Sequence, residues 1–152
     1  MYSVKKGFTL IEVLTVVVIL SIVSVAMAFA VNSARASVRD QRRKADLAKI
    51  ASGLEKYRSD CGRYPTASQY NSVNTGGNLV GSGATPACRT SNIYIEDKPN
   101  DPQEPTRVYS YNPNPSGASY VLCASLEGGG PAVSGCTASC GIQTCNYRVT
   151  NP

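Results

Sequence analysis

The chain opens on a long apolar run that a single charge interrupts. Residues 8–31 contain no Lys, Arg, Pro or Gly, and Glu12 is their one charged residue. As an α-helix these 24 residues would span about 36 Å, which exceeds the hydrocarbon layer of a bilayer, about 30 Å. The run therefore predicts the membrane-spanning half of an N-terminal helix, with a carboxylate that makes insertion more costly.

The helical pattern continues beyond the apolar run. Residues 8–52 contain no Pro and no Gly, and apolar side chains then recur at steps of three and four, at Leu47, Ile50, Leu54, Tyr57 and Cys61. This spacing is typical of one face of an amphipathic helix, and Gly62 suits its C-terminal cap. We predict one helix over residues 8–61 with an amphipathic half at 32–61, and Gly53 as its weak point.

The remainder of the chain, residues 62–152, predicts a small globular head. Residues 62–91 are rich in Ser, Thr, Asn and Gly and predict a long irregular loop with at most one short element. Segments rich in Tyr, Val and Ile then predict three or four short antiparallel strands, at 92–96, 107–112, 119–126 and 145–150. Their apolar face would cover the apolar stripe of the helix. The expected fold class is α+β, a long N-terminal helix packed on a small three- or four-stranded antiparallel sheet.

All the cysteines follow the apolar run. There are six of them and no His in the chain, which favours disulfides in an oxidising compartment over a zinc site. Six cysteines allow many pairings, and sequence does not choose among them. Because Cys61 ends the helix and Cys88 follows the polar loop, we expect these two to staple that loop. The expected pairs are Cys61–Cys88, Cys123–Cys136 and Cys140–Cys145.

The net charge of +5 is concentrated around the apolar run. Lys5 and Lys6 precede the run, and a basic cluster follows it, made of Arg35, Arg39, Arg42, Arg43 and Lys44. By the positive-inside rule this cluster would place the head in the cytoplasm, but the cysteines favour the opposite side and carry more weight. The cluster is typical of residues that attract lipid headgroups or pair with acids of the same chain. Nucleic-acid binding is possible but not indicated, because no aromatic residues interleave with the cluster.

The sequence predicts a protein that is not an enzyme and needs no cofactor. Without His, a Ser or Cys nucleophile lacks its usual base. Neither a phosphate-binding loop nor a dinucleotide fingerprint is present in the sequence.

The stretch KKG followed by FTLIEVL resembles the class III leader and N-terminal helix of type IV pilins and of the pseudopilins of type II secretion. The resemblance implies that residues 1–7, with the basic Lys5 and Lys6, form a leader that a prepilin peptidase removes. The cut would follow Gly7, and Phe8 would become the N-methylated first residue. Glu12 would then pair with the Phe8 amino group of a neighbouring subunit during assembly.

The resemblance extends into the head. Tyr57, Asp60, Gly62, Tyr64 and Pro65 match the helix end of major-pseudopilin-like proteins, and the Asp-Pro loop with its aromatic strand is matched by Asp101, Pro102, Tyr109 and Tyr111. Many secretion pseudopilins bind calcium through later aspartates, whereas this chain has no Asp after Asp101. We therefore expect Asp101 to be a turn residue, with calcium ligation as the weaker alternative.

The expected function is that of a structural subunit of a type IV pilus-like filament. Its expected partners are copies of itself or related subunits, the prepilin peptidase, the membrane platform of the assembly machine, and the lipid bilayer before assembly. The chain would cross the bacterial cytoplasmic membrane once, with its head outside, and then enter a surface or periplasmic filament. Alternatives are a type II secretion pseudopilin, a competence pilin for DNA uptake, and a disulfide-rich secreted protein cleaved after Ala28 or Ala30. A further alternative is a protein that an uncleaved helix anchors in the membrane and that displays a binding head.

Overall fold

A computed structural model describes residues 7–73, 76–136 and 139–151. Its main element is a helix, α1, that runs without interruption over Leu10–Cys61. The chain divides into two compact units, Met1–Ser37 and Val38–Pro152, and we call the second unit the head. The predicted long N-terminal helix is confirmed, and it begins two residues later than the sequence suggests.

The apolar stripe of α1 forms one side of the head core. Its five predicted members are all buried, with Leu47, Ile50 and Leu54 fully inaccessible. Gly62 ends the helix in a left-handed conformation, at a φ of 76°, and its N–H donates to the carbonyl of Arg58 at 2.8 Å.

Gly53, predicted to be the weak point of α1, lies where a strand backbone packs directly on the helix. A Cβ atom at this position would lie 2.6 Å from the carbonyl oxygen of Tyr94. Only glycine permits this approach, so the loss of helix propensity accompanies a close contact between helix and strand.

The polar segment after α1 contains two short elements rather than at most one. Helix α2 covers Ala67–Asn71, and a capping box between Thr66 and Gln69 fixes its start. Strand β1 covers Leu79–Val80. A strand of two residues is too short to leave a periodic signal in the sequence, which explains why the segment reads as irregular.

The remaining strands are β2 (Ile93–Ile95), β3 (Ser110–Pro113), β4 (Tyr120–Ala124) and β5 (Tyr147–Thr150). They form two sheets and not one. Strands β3, β4 and β5 make an antiparallel meander, whereas β2 pairs with β1 in a separate two-stranded sheet. The α+β fold class is confirmed, but assigning the segment at 92–96 to the same sheet as the later strands was wrong. The strand predicted from residue 107 starts later, because Val108 donates to the carbonyl of Cys140.

Tyrosine rings fill much of the core between α1 and the strands. Edge-to-face pairs join Tyr57 to Tyr94 and Tyr64 to Tyr120, with ring centroids 5.1 and 4.7 Å apart. Three disulfides join Cys61–Cys88, Cys123–Cys136 and Cys140–Cys145. The first lies in this core, and the other two form a second buried cluster. The first disulfide ties the end of α1 to the chain beyond β1.

Candidate assembly segment and ion-pair cluster

Residues 8–31 present an apolar surface that nothing in the described chain covers. Phe8 and Leu10 are 81% and 82% exposed, and the helix is long and apolar enough to cross a membrane. An apolar surface of this extent is stable only in lipid or against other protein. We call residues 8–31 the assembly segment.

The start of the assembly segment has the geometry of a capped helix. The Thr9 hydroxyl accepts a hydrogen bond from the N–H of Glu12 at 3.4 Å, as an N-cap residue does. Glu12 lies in the first turn, where the helix dipole favours a carboxylate. Gly7 and Phe8 precede Thr9, and a Cβ atom at Gly7 would meet no other described residue within 4 Å. Lys5 and Lys6 lie outside the described residues.

The head contains a buried ion-pair cluster centred on Arg43, whose side chain is fully inaccessible. We call it the Arg43 cluster, and its members are Arg39, Asp40, Arg43, Asp101, Gln103 and Glu127. Arg43 donates hydrogen bonds to both carboxylate oxygens of Asp101, at 2.7 and 3.0 Å. It also donates to Asp40 at 2.7 Å, to Glu127 at 2.8 Å and to Gln103 at 2.8 Å. All five guanidinium donors therefore have an acceptor.

Backbone groups complete the Arg43 cluster. Asp40 accepts the N–H groups of Glu127 and Gly128, and Glu127 receives two hydrogen bonds from Arg39, at 2.6 and 2.5 Å. The bonds from Arg39 are the main cause that holds the pKa of Glu127 at about 2. Burial would raise the pKa of Asp40, but the two N–H groups and Arg43 outweigh it, so this pKa is also lowered.

The cluster joins three segments that are distant in sequence, namely α1, the Asp101 turn and the chain after β4. Asp101 makes the bond of a turn residue, accepting the N–H of Gln103 at 2.8 Å, but it also pairs with Arg43, a contact that sequence reasoning missed. Glu127 was missed as well. One signal was available, since Asp40 and Arg43 continue the spacing of the apolar stripe backwards from Leu47 by steps of four and three.

The basic residues after the assembly segment thus differ in their partners and in their exposure. Arg39 and Arg43 pair with acids of the same chain, which is one of the two behaviours that the sequence left open. Arg42 remains 65% exposed, at 3.8 Å from Asp46.

Other carboxylates of α1 bind tyrosine hydroxyls of the head. Tyr109 donates to Asp46 at 2.8 Å, and Tyr94 donates to Asp60 at 2.9 Å. Glu55 receives the hydroxyls of both Tyr64 and Tyr120. These bonds turn the acidic side chains of α1 towards the sheet and away from solvent.

A long N-terminal helix, apolar in its first half and packed against small antiparallel sheets in its second, defines the pilin and pseudopilin class of proteins. The model of the prokaryotic N-terminal methylation motif matches residues 2–28, and the model of protein G of the type II secretion system matches residues 30–138. The chain belongs to the family of type II secretion system protein G. No curated protein and no solved structure matches it.

The resemblance to pilins and pseudopilins is therefore confirmed. The family is one of structural subunits and not of enzymes. The leader motif covers residues 2–28, which include most of the assembly segment, and the family match covers most of the head.

Proposed function

We propose that the chain is a precursor whose first seven residues are removed, and whose mature form polymerises into a type IV pilus-like filament. The exposed apolar surface of residues 8–31, with its single carboxylate, carries this proposal. The segment enters the bilayer before assembly. In the filament, its apolar surface contacts the helices of other copies instead of lipid.

Processing creates the charge that Glu12 needs. Cleavage after Gly7 exposes the α-amino group of Phe8, which is methylated and stays positively charged. A carboxylate in a low-dielectric environment is stable when it has a cationic partner. Glu12 of one subunit therefore pairs with the Phe8 amino group of its neighbour, while Lys5 and Lys6 hold the leader at the cytoplasmic face.

The head lies outside the cytoplasm in this proposal. Three disulfides support that side of the membrane, because disulfides persist in oxidising compartments. The partners are other subunits, the prepilin peptidase and the membrane platform that drives assembly. A leader motif and a structural family support these partners in general terms.

Two machines are candidates for the filament. The Arg43 cluster supports a pilus-like filament, because many secretion pseudopilins bind calcium through aspartates. Here Arg43 occupies both oxygens of Asp101, and the chain has no later Asp for a calcium site. A secretion pseudopilus is the second candidate, supported by the match to protein G over residues 30–138. Deleting the gene separates them: loss of surface pili supports the first, and loss of exported substrate proteins supports the second.

The mass of the mature N-terminus tests the proposal. Sheared filaments should contain chains that begin at methylated Phe8. Chains that begin at Phe29 or Val31 would identify an ordinary signal peptide, and chains intact from Met1 would identify an uncleaved anchor. Either of these two results would contradict the proposal.

A further inference from the structure

The solvent face of α1 repeats a pattern of cations and small residues. Exposed residues recur there at steps of three and four, the same spacing as the buried stripe, at Arg42, Ala45, Lys49, Ser52, Lys56 and Ser59. We call this the cationic face. Its three cations are seven residues apart, which is about 10.5 Å along the helix. The small residues between them leave room for another backbone to approach.

This face is cationic because the acids of the helix point elsewhere. Asp46, Glu55 and Asp60 accept hydroxyls of head tyrosines, as described above. Of the three cations on this face, Arg42 alone is within ion-pair distance of one of these carboxylates, at 3.8 Å from Asp46, and that pair is a loose one.

The exposed acids of the head are concentrated in one short segment. Within the described part of the head, the acidic residues that are exposed are Glu96, Asp97 and Glu104. We call residues 96–104 the acidic segment. Asp97 is held in place by its backbone, which has a φ of 52° and donates its N–H to Asn78 at 3.0 Å.

The two surfaces do not neutralise each other within one chain. Lys49 donates to the carbonyl oxygen of Asp97 at 3.3 Å, so the surfaces adjoin. Among the described residues, however, no salt bridge joins Arg42, Lys49 or Lys56 to a carboxylate of the acidic segment. Each head therefore displays a cationic face and an acidic segment that do not pair with each other. Lys98, the one cation of the acidic segment, donates to the backbone carbonyls of Tyr70 and Val73.

We propose that the cationic face of one subunit docks on the acidic segment of the next copy, a contact that rests on the proposed filament. A contact is heterologous when each copy uses its cationic face towards one neighbour and its acidic segment towards another, and this kind of contact extends a helical polymer. Opposite charges steer the approach and fix the register, while the small residues allow close packing. A nucleic acid is the less favoured occupant, because the cationic face offers no aromatic ring for stacking.

Charge reversal in the full-length chain tests this contact. Lys49→Glu/Lys56→Glu should place acid opposite acid and lower the yield of sheared filaments on the order of tenfold. Glu96→Lys/Glu104→Lys should do the same from the other side, and it leaves Asp97, with its φ of 52°, unchanged. A chain that carries all four changes should recover most of the wild-type yield, because the contact is restored with its signs exchanged.

A matched control excludes a general effect of charge. Arg89→Glu/Arg148→Glu makes the same change in net charge at exposed positions outside the cationic face, and its filament yield should match wild type. All variants should be cleaved normally and melt within a few degrees of wild type, so that loss of filaments reflects docking and not folding.

Two results would overturn the inference. Either the four-fold variant assembles as poorly as the two-fold ones, or the two-fold variants assemble normally. In the second case, loss of binding to duplex DNA by Lys49→Glu/Lys56→Glu would assign the cationic face to a polyanion. Failure of the filament proposal itself would look different, since wild-type protein would then yield no polymer.

Discussion

At the scale of single residues, Arg43 joins α1 to two distant segments of the head. Its side chain is fully buried and each of its donors is used, so its charge is compensated from two loops as well as from its own helix. A buried ion pair adds little net stability compared with apolar packing. Removing one partner, however, leaves the remaining buried charges uncompensated, which is strongly destabilising. The cluster is therefore a place where a single substitution has a large effect.

We predict that Arg43→Ala lowers the free energy of unfolding by roughly 3–5 kcal/mol, because it leaves three carboxylates without their common cation. Arg42→Ala is the control, since Arg42 is mostly exposed and should matter little. Chemical denaturation of the purified full chain in detergent measures both. Equal stability of the two variants would show that the cluster does not hold the head together.

The same cluster predicts how stability depends on pH. The pKa values of Glu127 and Asp40 are lower in the folded chain than in the unfolded one. Their contribution is therefore complete above their ordinary pKa, and it is lost as the pH falls towards about 2. Denaturation midpoints measured across this range should drop more steeply for wild type than for Glu127→Gln. Parallel curves would contradict the assigned cause.

At the scale of elements, the contact between α1 and β2 depends on the absence of a side chain. Gly53→Ala should improve helix propensity by about 1 kcal/mol, yet the added methyl meets the Tyr94 carbonyl. We predict a net destabilisation of roughly 1–3 kcal/mol from overpacking. Ser52→Ala, at an exposed neighbouring position, should be neutral or stabilising. A more stable Gly53→Ala chain would mean that β2 does not pack closely on the helix.

The elements also show which signals a sequence carries. The long helix and the stripe from Leu47 to Cys61 follow from periodicity, which is a local property. The pairing of β2 with Leu79–Val80 could not be predicted, because it depends on a long-range contact with a strand of two residues. The pairing of Arg43 with Asp101 and Glu127 could not be predicted either, since these partners lie 58 and 84 residues from Arg43.

At the scale of the whole molecule, the proposed function requires that processing comes before assembly. Gly7→Arg places a bulky cation at the cleavage position, so we predict that full-length precursor accumulates in the membrane and no filament forms. Immunoblotting of membrane and sheared fractions measures this. Tyr2→Arg adds the same charge to the leader away from the cut and should be processed normally. Mature protein of normal length from Gly7→Arg would contradict the assigned leader.

The central claim is that Glu12 serves polymerisation and not insertion or folding. Glu12→Val should insert at least as well as wild type, be cleaved, and retain its head. It should still fail to polymerise, because the Phe8 amino group of the neighbour is left unpaired at a cost of about 3–5 kcal/mol per contact. Ser21→Val is the matched control, since it makes the same segment more apolar by removing a hydroxyl that bonds only its own helix, to the Val18 carbonyl.

The most direct measurement is the yield of sheared filaments from cells that express Glu12→Val, relative to Ser21→Val and wild type at equal membrane levels. We predict a normal yield from Ser21→Val and little or no filament from Glu12→Val, with both proteins starting at methylated Phe8. A wild-type yield from Glu12→Val would contradict the account, because Glu12 would then be an ordinary residue near the headgroups.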